Sequence, residues 1–296
     1  RLVFAPEFAI AFMGGDPDNF EFPRYCLDVC FFRAYEDGKP AKPKHYLRWS
    51  EDGTQAGDLV FVAGHPGRTS RLNTVANLEY QRDAAIPFIL DYLRDKEAFL
   101  LEYSRRGEEQ ARQAKDDLFG IQNSRKARTG GYQGLLDTDF MGRKQEAERT
   151  LRERVAADPR KKEAYAAAWD KIAAAQETAA ELLKPYNFLE RGIAFDSELF
   201  SIARTLVRLA EEGPKPSPDR LREYRDSNRQ SLELQLYSDA PIYPEFEKAK
   251  LAHALEYYRK NLPHRPMLER VLHGREPKEV AEALVDGSKL ADVALR

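Results

Sequence analysis

An aspartate inside an apolar segment is the residue of this chain best suited to chemistry. Asp28 stands between Leu27 and Val29, and Phe31 and Phe32 follow closely. A carboxylate buried among apolar side chains must be held by hydrogen bonds, because its desolvation costs free energy. Enzymes place a carboxylate in this way when it has to orient a histidine. The pattern therefore favours a catalytic acid at Asp28; the alternative is an aspartate at a strand edge or bulge.

A polar, turn-rich loop precedes this segment. Residues 14–24 read Gly-Gly-Asp-Pro-Asp-Asn-Phe-Glu-Phe-Pro-Arg. Asp16 and Asp18 are typical of Asx turns, in which a short carboxylate accepts a nearby backbone N–H. We expect these two aspartates to hold the loop in shape and Arg24 to neutralise one of them.

The histidine and serine that would complete a triad with Asp28 are not evident. No histidine precedes Asp28, and His65 follows it within a Gly-His-Pro-Gly turn. No serine lies in a Gly-x-Ser-Gly context, and Ser70 lacks the glycines of a nucleophile elbow. The other histidines are scattered and are interpreted as surface or cap residues: His45, His253, His264 and His273. We expect the base and the nucleophile to lie outside this chain, whose two ends both read as cut.

The elements that must position these residues change character near residue 80. Five short β-like segments come first, over residues 2–5, 8–13, 25–35, 58–63 and 72–78. Turn signals separate them at residues 14–15, 36–38, 51–53 and 65–67. Closely spaced strands of this kind predict an antiparallel sandwich or barrel.

From residue 82 onward the pattern predicts helices. Apolar residues recur at intervals of three and four, beginning with Ile86, Ile89, Leu90 and Leu93. Further helices are predicted over residues 146–155, 165–183, 197–210, 219–236, 243–261 and 277–284. The chain is thus predicted to be α+β, with a partial β-barrel domain over residues 1–81 and a mostly helical domain over residues 82–296.

Composition narrows the range of partners. The 296 residues are 32% charged and 42% hydrophobic, which is typical of globular proteins, and the formal net charge is −2. Such a charge does not favour nucleic acid, and no apolar stretch is long enough for a membrane span. Cys26 and Cys30 are too few for a zinc site and are interpreted as small core residues. We expect no metal and no cofactor.

The motif around Asp28 resembles a known family. Gly-Gly-Asp-Pro-Asp-Asn-Phe at residues 14–20, then Pro-Arg, then Leu-Asp is similar to the bacterial serine dipeptidyl-peptidases that include dipeptidyl-peptidases 7 and 11. The segment after Asp28 resembles the D-I-A-x-x-K strand of chymotrypsin-like proteases. Residues 57–69 resemble the strand and glycine turn that begin the second barrel of trypsin-like proteases, and residues 118–127, Leu-Phe-Gly-Ile-Gln-Asn-Ser-Arg-Lys-Ala, extend the likeness. The resemblance implies a chymotrypsin-like double barrel with an inserted helical domain.

The resemblance also implies residue roles. Asp28 would be the acidic member of the triad, and Asn19 would bind the free α-ammonium of the substrate. Phe20 would line that pocket with its ring and backbone carbonyl, and Asn123 would face the same ammonium. The whole enzyme would release dipeptides from peptides with a free N-terminus through an acyl-enzyme. Export to the periplasm or cell surface and a homodimer are implied as well.

Two other functions compete with this interpretation. A non-catalytic module, in which helices and a β-rich base hold a partner protein, accounts for the missing histidine and serine without further assumption. A nuclease or nucleotide-binding protein has little support, because the chain has no phosphate-binding glycine loop and no basic-aromatic stripe. If the chain is a protease segment, we expect it to be inactive alone.

Overall fold

The computed structural model describes residues 1–12, 16–23, 26–64, 70–262 and 266–296. Several predictions concern residues outside these ranges: the turn at Gly14 and Gly15, the role of Arg24, the Gly-His-Pro-Gly turn with His65, and the assignment of His264. Contacts divide the chain into two units. The first comprises residues 1–79 and 122–169, and the second comprises residues 80–121 and 170–296. The predicted domain boundary at residue 81 stays a prediction.

The strands of the first unit form two short antiparallel pairs. Strand β1 (Leu2–Phe4) pairs with β2 (Phe31–Phe32), and β3 (Tyr35–Glu36) pairs with β4 (Lys39–Pro40). Asp37 and Gly38 connect β3 to β4 with φ angles of 48° and 74°. An Asp-Gly pair suits this turn because both central residues need positive φ. The predicted strand near the N-terminus and the predicted turn at residues 36–38 are confirmed.

The predicted β-barrel is not seen among the described residues, which are mostly helical. The apolar run at residues 59–62 has no secondary structure, and its side chains are between 59% and 88% exposed. A strand is stable when a neighbouring strand binds its backbone and another layer covers its apolar face. No described residue does either for this run. Its sequence therefore predicts a strand, but the run forms none with the described residues.

Two other predicted strands are helices in the structure. Residues 8–13 contain helix α1 (Phe8–Ala11), and residues 72–78 lead into α2 (Val75–Tyr80). At the start of α2 the Thr74 hydroxyl accepts the Asn77 N–H at 3.3 Å, and Glu148 accepts the Val75 N–H at 2.6 Å. These are helix N-terminal bonds. Thr74 was therefore a helix-start signal that the strand interpretation missed.

Helices dominate the rest of the chain. They are α3 (Ile86–Ser104), α4 (Glu108–Leu136), α5 (Thr138–Ala157), α6 (Pro159–Tyr165), α7 (Ala168–Pro185), α8 (Glu198–Glu212), α9 (Arg229–Leu236), α10 (Pro244–Asn261), α11 (Pro266–Leu272) and α12 (Pro277–Asp286). The helical character predicted from residue 82 onward is confirmed. The predicted helix over residues 219–236 is only partly confirmed. Two short 3-10 turns, Arg222–Tyr224 and Asp226–Asn228, occupy its first half before α9, and a third, Ser217–Asp219, ends at its first residue.

Two π-helical segments lie beside prolines. Residues Gln81–Ala85 precede Pro87, and residues Tyr186–Glu190 follow Pro185. Proline has no N–H to donate to the preceding helical turn, so the hydrogen-bond pattern must shift nearby. In the first unit, Asp137 begins α5 by accepting the N–H groups of Asp139 and Phe140 at 2.8 and 3.0 Å.

The second unit has the larger apolar core. Helices α10, α11 and α12 enclose fully buried Leu255, Tyr258, Leu268 and Val280, and Phe188 joins them. Tyr103 of α3 packs against Phe246 of α10 in a second cluster. Helix α10 is thus the central element of this unit.

A buried carboxylate on α10 binds the N-terminus of α8. Glu247 Oε2 accepts the Ser197 hydroxyl and the Glu198 N–H, both at 2.7 Å, while its Oε1 lies 2.8 Å from Lys250 Nζ. Burial alone would lower the pKa of Lys250, but the nearby carboxylates of Glu247 and Asp117 outweigh it, and the pKa is raised. The negative charge of Glu247 also faces the positive end of the α8 dipole. The pair therefore links two helices through charge and hydrogen bonds.

Candidate functional site

Two asparagines predicted to share a site lie in direct contact within the first unit. Asn19 Nδ2 donates a hydrogen bond to Asn123 Oδ1 at 2.9 Å, across 104 residues of sequence. Asn19 is only 9% exposed, whereas Asn123 lies at the surface of α4. Because Asn19 uses its Nδ2 in this bond, its Oδ1 can act as an acceptor toward a ligand. The structure thus brings the two side chains together, and their role in substrate binding stays a prediction.

A lysine that the sequence analysis passed over holds the same loop. Lys126 lies three residues after Asn123 on α4, so both side chains emerge from one face of the helix. Its Nζ donates to the backbone carbonyls of Pro17 and Asn19, each at 3.0 Å. The lysine stands inside the motif at residues 118–127, but a helical lysine is ordinarily solvated. Only its spacing of three from Asn123 could have drawn attention to it.

Phe20 has an unusual backbone conformation. Its φ is 65°, in the left-handed region, and its side chain is 58% exposed. This conformation is sterically unfavourable for a residue with a large side chain. The Glu21 N–H, bonded to the Asp18 carbonyl at 3.1 Å, closes the turn around it. The predicted contribution of Phe20 to the substrate pocket stays a prediction.

Asp28 does not lie inside a strand. It is exposed, in the segment over residues 26–30 that has no secondary structure. The adjacent Leu27 N–H bonds to the Ile10 carbonyl at 3.2 Å. No described residue donates a hydrogen bond to its carboxylate. The expected burial is wrong because no described residue covers Asp28; its catalytic role stays a prediction.

The loop aspartates and the cysteines are also placed. Asp18 is exposed at the end of a 3-10 turn over Asp16–Asp18, and its backbone carbonyl accepts the Glu21 N–H at 3.1 Å; the Asx turns expected of the two aspartates stay predictions. Cys30 is exposed and Cys26 half-buried, both with free thiols, so their assignment to a strand core is wrong for the same reason as that of Asp28. In the part of the chain that the structure describes, no cluster of three or more potential ligands could hold a metal ion.

The described histidines are His45, His253 and His273, and all three follow Asp28 in the sequence. His45 and His273 are exposed, as predicted. His253 in the second unit stacks on Phe99 at 4.3 Å between ring centroids, and its Nε2 lies 2.8 Å from Asp95 Oδ2. His253 is therefore a packed residue that connects α10 to α3. No described helix has the length and apolarity that a bilayer crossing demands.

What the Asn19 region can do follows from its atoms. The amide oxygens and the Phe20 carbonyl are acceptors, and an α-ammonium offers three donors. Two amides at hydrogen-bond distance from each other can bind one cationic group together, which fixes its position more narrowly than either alone. The arrangement can therefore accept hydrogen bonds from a cationic group such as an ammonium.

Comparisons with known proteins agree with the motif. The model of the Peptidase S46 family matches residues 1–296. The Asp/Glu-specific dipeptidyl-peptidase of Shewanella putrefaciens is 33% identical over 234 residues, which cover 74% of this chain and 31% of that protein. A protein of the same name from Flavobacterium psychrophilum is 29% identical over 180 residues, 53% of this chain and 24% of that protein. Dipeptidyl-peptidase 7 of Porphyromonas gingivalis is 36% identical over 90 residues, 27% of this chain and 13% of that protein. The chain spans less than a third of the length of each of these relatives.

Proposed function

Since the chain belongs to the peptidase S46 family, we propose that it forms part of a serine dipeptidyl aminopeptidase, which releases dipeptides from the N-termini of peptides. The contact between Asn19 and Asn123 is the observation that supports the proposal most directly. The two residues were assigned to one ammonium site from separate motifs, and a chance pairing across 104 residues would be improbable. Similarity to relatives named dipeptidyl-peptidases also supports the proposal.

In the proposed enzyme the two asparagines determine which peptide bond is cut, because they bind the substrate N-terminus at a fixed position. The α-ammonium of the substrate binds to the Asn19 and Asn123 amides and to the Phe20 carbonyl. The chain then extends two residues to the scissile carbonyl, so binding at the ammonium places that carbonyl against the nucleophile. Holding the reacting groups in this geometry lowers the barrier by removing their translational and rotational freedom.

Asp28 has the acidic role of the triad in this proposal. Its exposed carboxylate can accept an imidazole N–H from a histidine in the part of the complete enzyme that this chain does not span. That histidine takes the serine hydroxyl proton as the oxygen attacks the scissile carbonyl, and then gives the proton to the leaving amine. Water hydrolyses the acyl-enzyme and frees the dipeptide. Asp28 keeps the imidazole in the correct tautomer and stabilises its protonated form.

Dipeptide removal by the proposed enzyme is compatible with different side chains before the cleaved bond. The relatives include proteins named for Asp/Glu specificity and others named dipeptidyl-peptidase 7. The proposal also includes a homodimer and a periplasmic or cell-surface location, both of which rest on family membership alone.

The test uses the complete protein that contains this chain, with matched peptides that carry a free or an acetylated N-terminus. We expect dipeptides to be released from the free peptides only. The Asp28→Asn variant should lower kcat by about 10⁴-fold, as loss of the carboxylate leaves the histidine in the wrong tautomer. Asp52→Asn, at another exposed aspartate, is the control and should retain activity. Equal cleavage of acetylated peptides, or full activity of Asp28→Asn, would contradict the proposal.

A further inference from the structure

We propose that Lys126 is a positioning residue for this reaction: its ammonium fixes the Asn19–Phe20 backbone against α4 and so sets where the substrate N-terminus binds. The inference rests on the proposed function. It concerns a residue that contacts the loop and not the substrate.

Two backbone carbonyls converge on the ammonium of Lys126. The Pro17 and Asn19 carbonyls both accept from Lys126 Nζ at 3.0 Å. Hydrogen bonds with a charged donor are stronger than those between neutral groups. The ammonium therefore fixes both ends of a three-residue turn.

The Asn19 carbonyl adjoins the residue with the unusual backbone conformation. This carbonyl belongs to the peptide unit that supplies the Phe20 nitrogen, so its orientation is coupled directly to the Phe20 φ of 65°. A left-handed conformation at such a residue persists only where its surroundings over-determine it. The bond from Lys126 supplies that constraint at the peptide concerned.

Helix α4 holds Asn19 through two side chains. Asn123 and Lys126 are three residues apart and lie on one helix face. Asn123 binds the side chain of Asn19 while Lys126 binds its backbone carbonyl. Contacts at two points fix the orientation of Asn19, whereas a single side-chain bond would let the backbone rotate about it.

The experiment compares lysine substitutions in the complete protein. Lys126→Met keeps most of the aliphatic stem and removes the ammonium, and Lys126→Arg retains a charged donor. Lys144→Met is the matched control, because Lys144 Nζ also donates to a backbone carbonyl, that of Arg71, at 3.0 Å in the same unit. Thermal unfolding of each variant establishes that it is folded.

We expect Lys126→Met to lower kcat/KM for peptides with a free N-terminus by about tenfold or more, since two charge-assisted bonds are lost. The change should appear mainly in KM, and the preference for free over acetylated peptides should fall. Lys126→Arg should restore part of both, and Lys144→Met should change neither. A folded Lys126→Met variant with unchanged KM and unchanged preference overturns the inference.

Hydrogen exchange separates this inference from the proposed function. If the wild-type protein releases no dipeptide, the proposed function fails, and the loop is then judged by exchange of the Glu21 amide, which bonds to the Asp18 carbonyl at 3.1 Å. Exchange that is faster in Lys126→Met but unchanged in Lys144→Met supports the loop-holding role. Equal exchange in wild type and Lys126→Met overturns it.

Discussion

Asn123 offers the sharpest test of the ammonium site among single residues. Its side chain is exposed, so truncation should leave folding nearly unchanged, but it removes the bond to Asn19 at 2.9 Å. We expect Asn123→Ala to reduce kcat/KM for free N-termini by about tenfold, corresponding to about 1.4 kcal/mol for a bond to a charged ligand group. Steady-state kinetics of the complete protein measure this.

The control for Asn123 is an asparagine with a purely local bond. Asn187 Nδ2 donates to the Leu183 carbonyl at 2.7 Å in the second unit, and Asn187→Ala should leave kcat/KM unaltered. The double variant Asn19→Ala/Asn123→Ala should cost less than the sum of the single variants, because both residues serve one ligand. Strict additivity would argue against a shared site.

Residue identities could be predicted better than residue surroundings. Asn19 and Asn123 were named from two sequence motifs, and the structure places their side chains in contact, while their role in binding stays a prediction. The burial expected for Asp28 failed because burial depends on what packs over a segment, and no described residue packs there. Lys126 was missed because its significance lies in two backbone carbonyls, which a sequence does not single out.

At the scale of elements, the attachment of α8 to α10 depends on Glu247. We expect Glu247→Gln to lower the free energy of unfolding by about 3 kcal/mol, since it breaks a buried charged pair and leaves Lys250 with only the Asp117 carboxylate, 3.6 Å from its Nζ. Urea unfolding followed by helical circular dichroism measures the change. Glu245→Gln, on the same helix but exposed and paired with Lys248, should cost no more than about 1 kcal/mol. Similar losses in the two variants would contradict the role of Glu247.

The raised pKa of Lys250 gives the same prediction a pH dependence. A lysine whose pKa is higher in the folded than in the unfolded state contributes to the free energy of unfolding. That contribution is full at pH values below about 10.5 and is lost as the pH rises through the folded-state pKa. The difference in stability between wild type and Glu247→Gln should therefore shrink above about pH 10.5, where the unfolded chain begins to release the Lys250 proton while the folded protein still holds it.

Helices were predictable where strands were not, for a physical reason. The helix predicted over residues 197–210 is observed as Glu198–Glu212, because apolar spacing and the Ser197 hydroxyl, which accepts the Phe200 N–H at 3.3 Å, are both local signals. A strand depends on a partner elsewhere in the chain, so the run at residues 59–62 reads as a strand and yet has none to pair with among the described residues. The 3-10 turns before α9 were missed because Pro216 and Pro218 mark a helix start as readily as a turn.

At the scale of the whole molecule, we expect the 296-residue chain alone to release no dipeptides. It has no histidine before Asp28 and no Gly-x-Ser-Gly sequence, and loss of triad partners costs about 10⁶-fold in kcat. Incubation of the purified chain with a free N-terminal peptide, alongside the complete protein, measures this. Dipeptide release by the chain itself would mean that another of its residues serves as base or nucleophile.

The long sequence separation between Asn19 and its partners has a consequence during synthesis. A ribosome adds about 5–20 residues per second, so the 104 residues between Asn19 and Asn123 take roughly 5 to 20 seconds to appear. During that interval the segment around Asn19 has been synthesised, but the part of α4 that binds it has not. The exposed apolar run at residues 59–62 is synthesised in the same period. Until α4 is complete, the Asn19 loop therefore lacks two of the contacts that hold it in the folded protein.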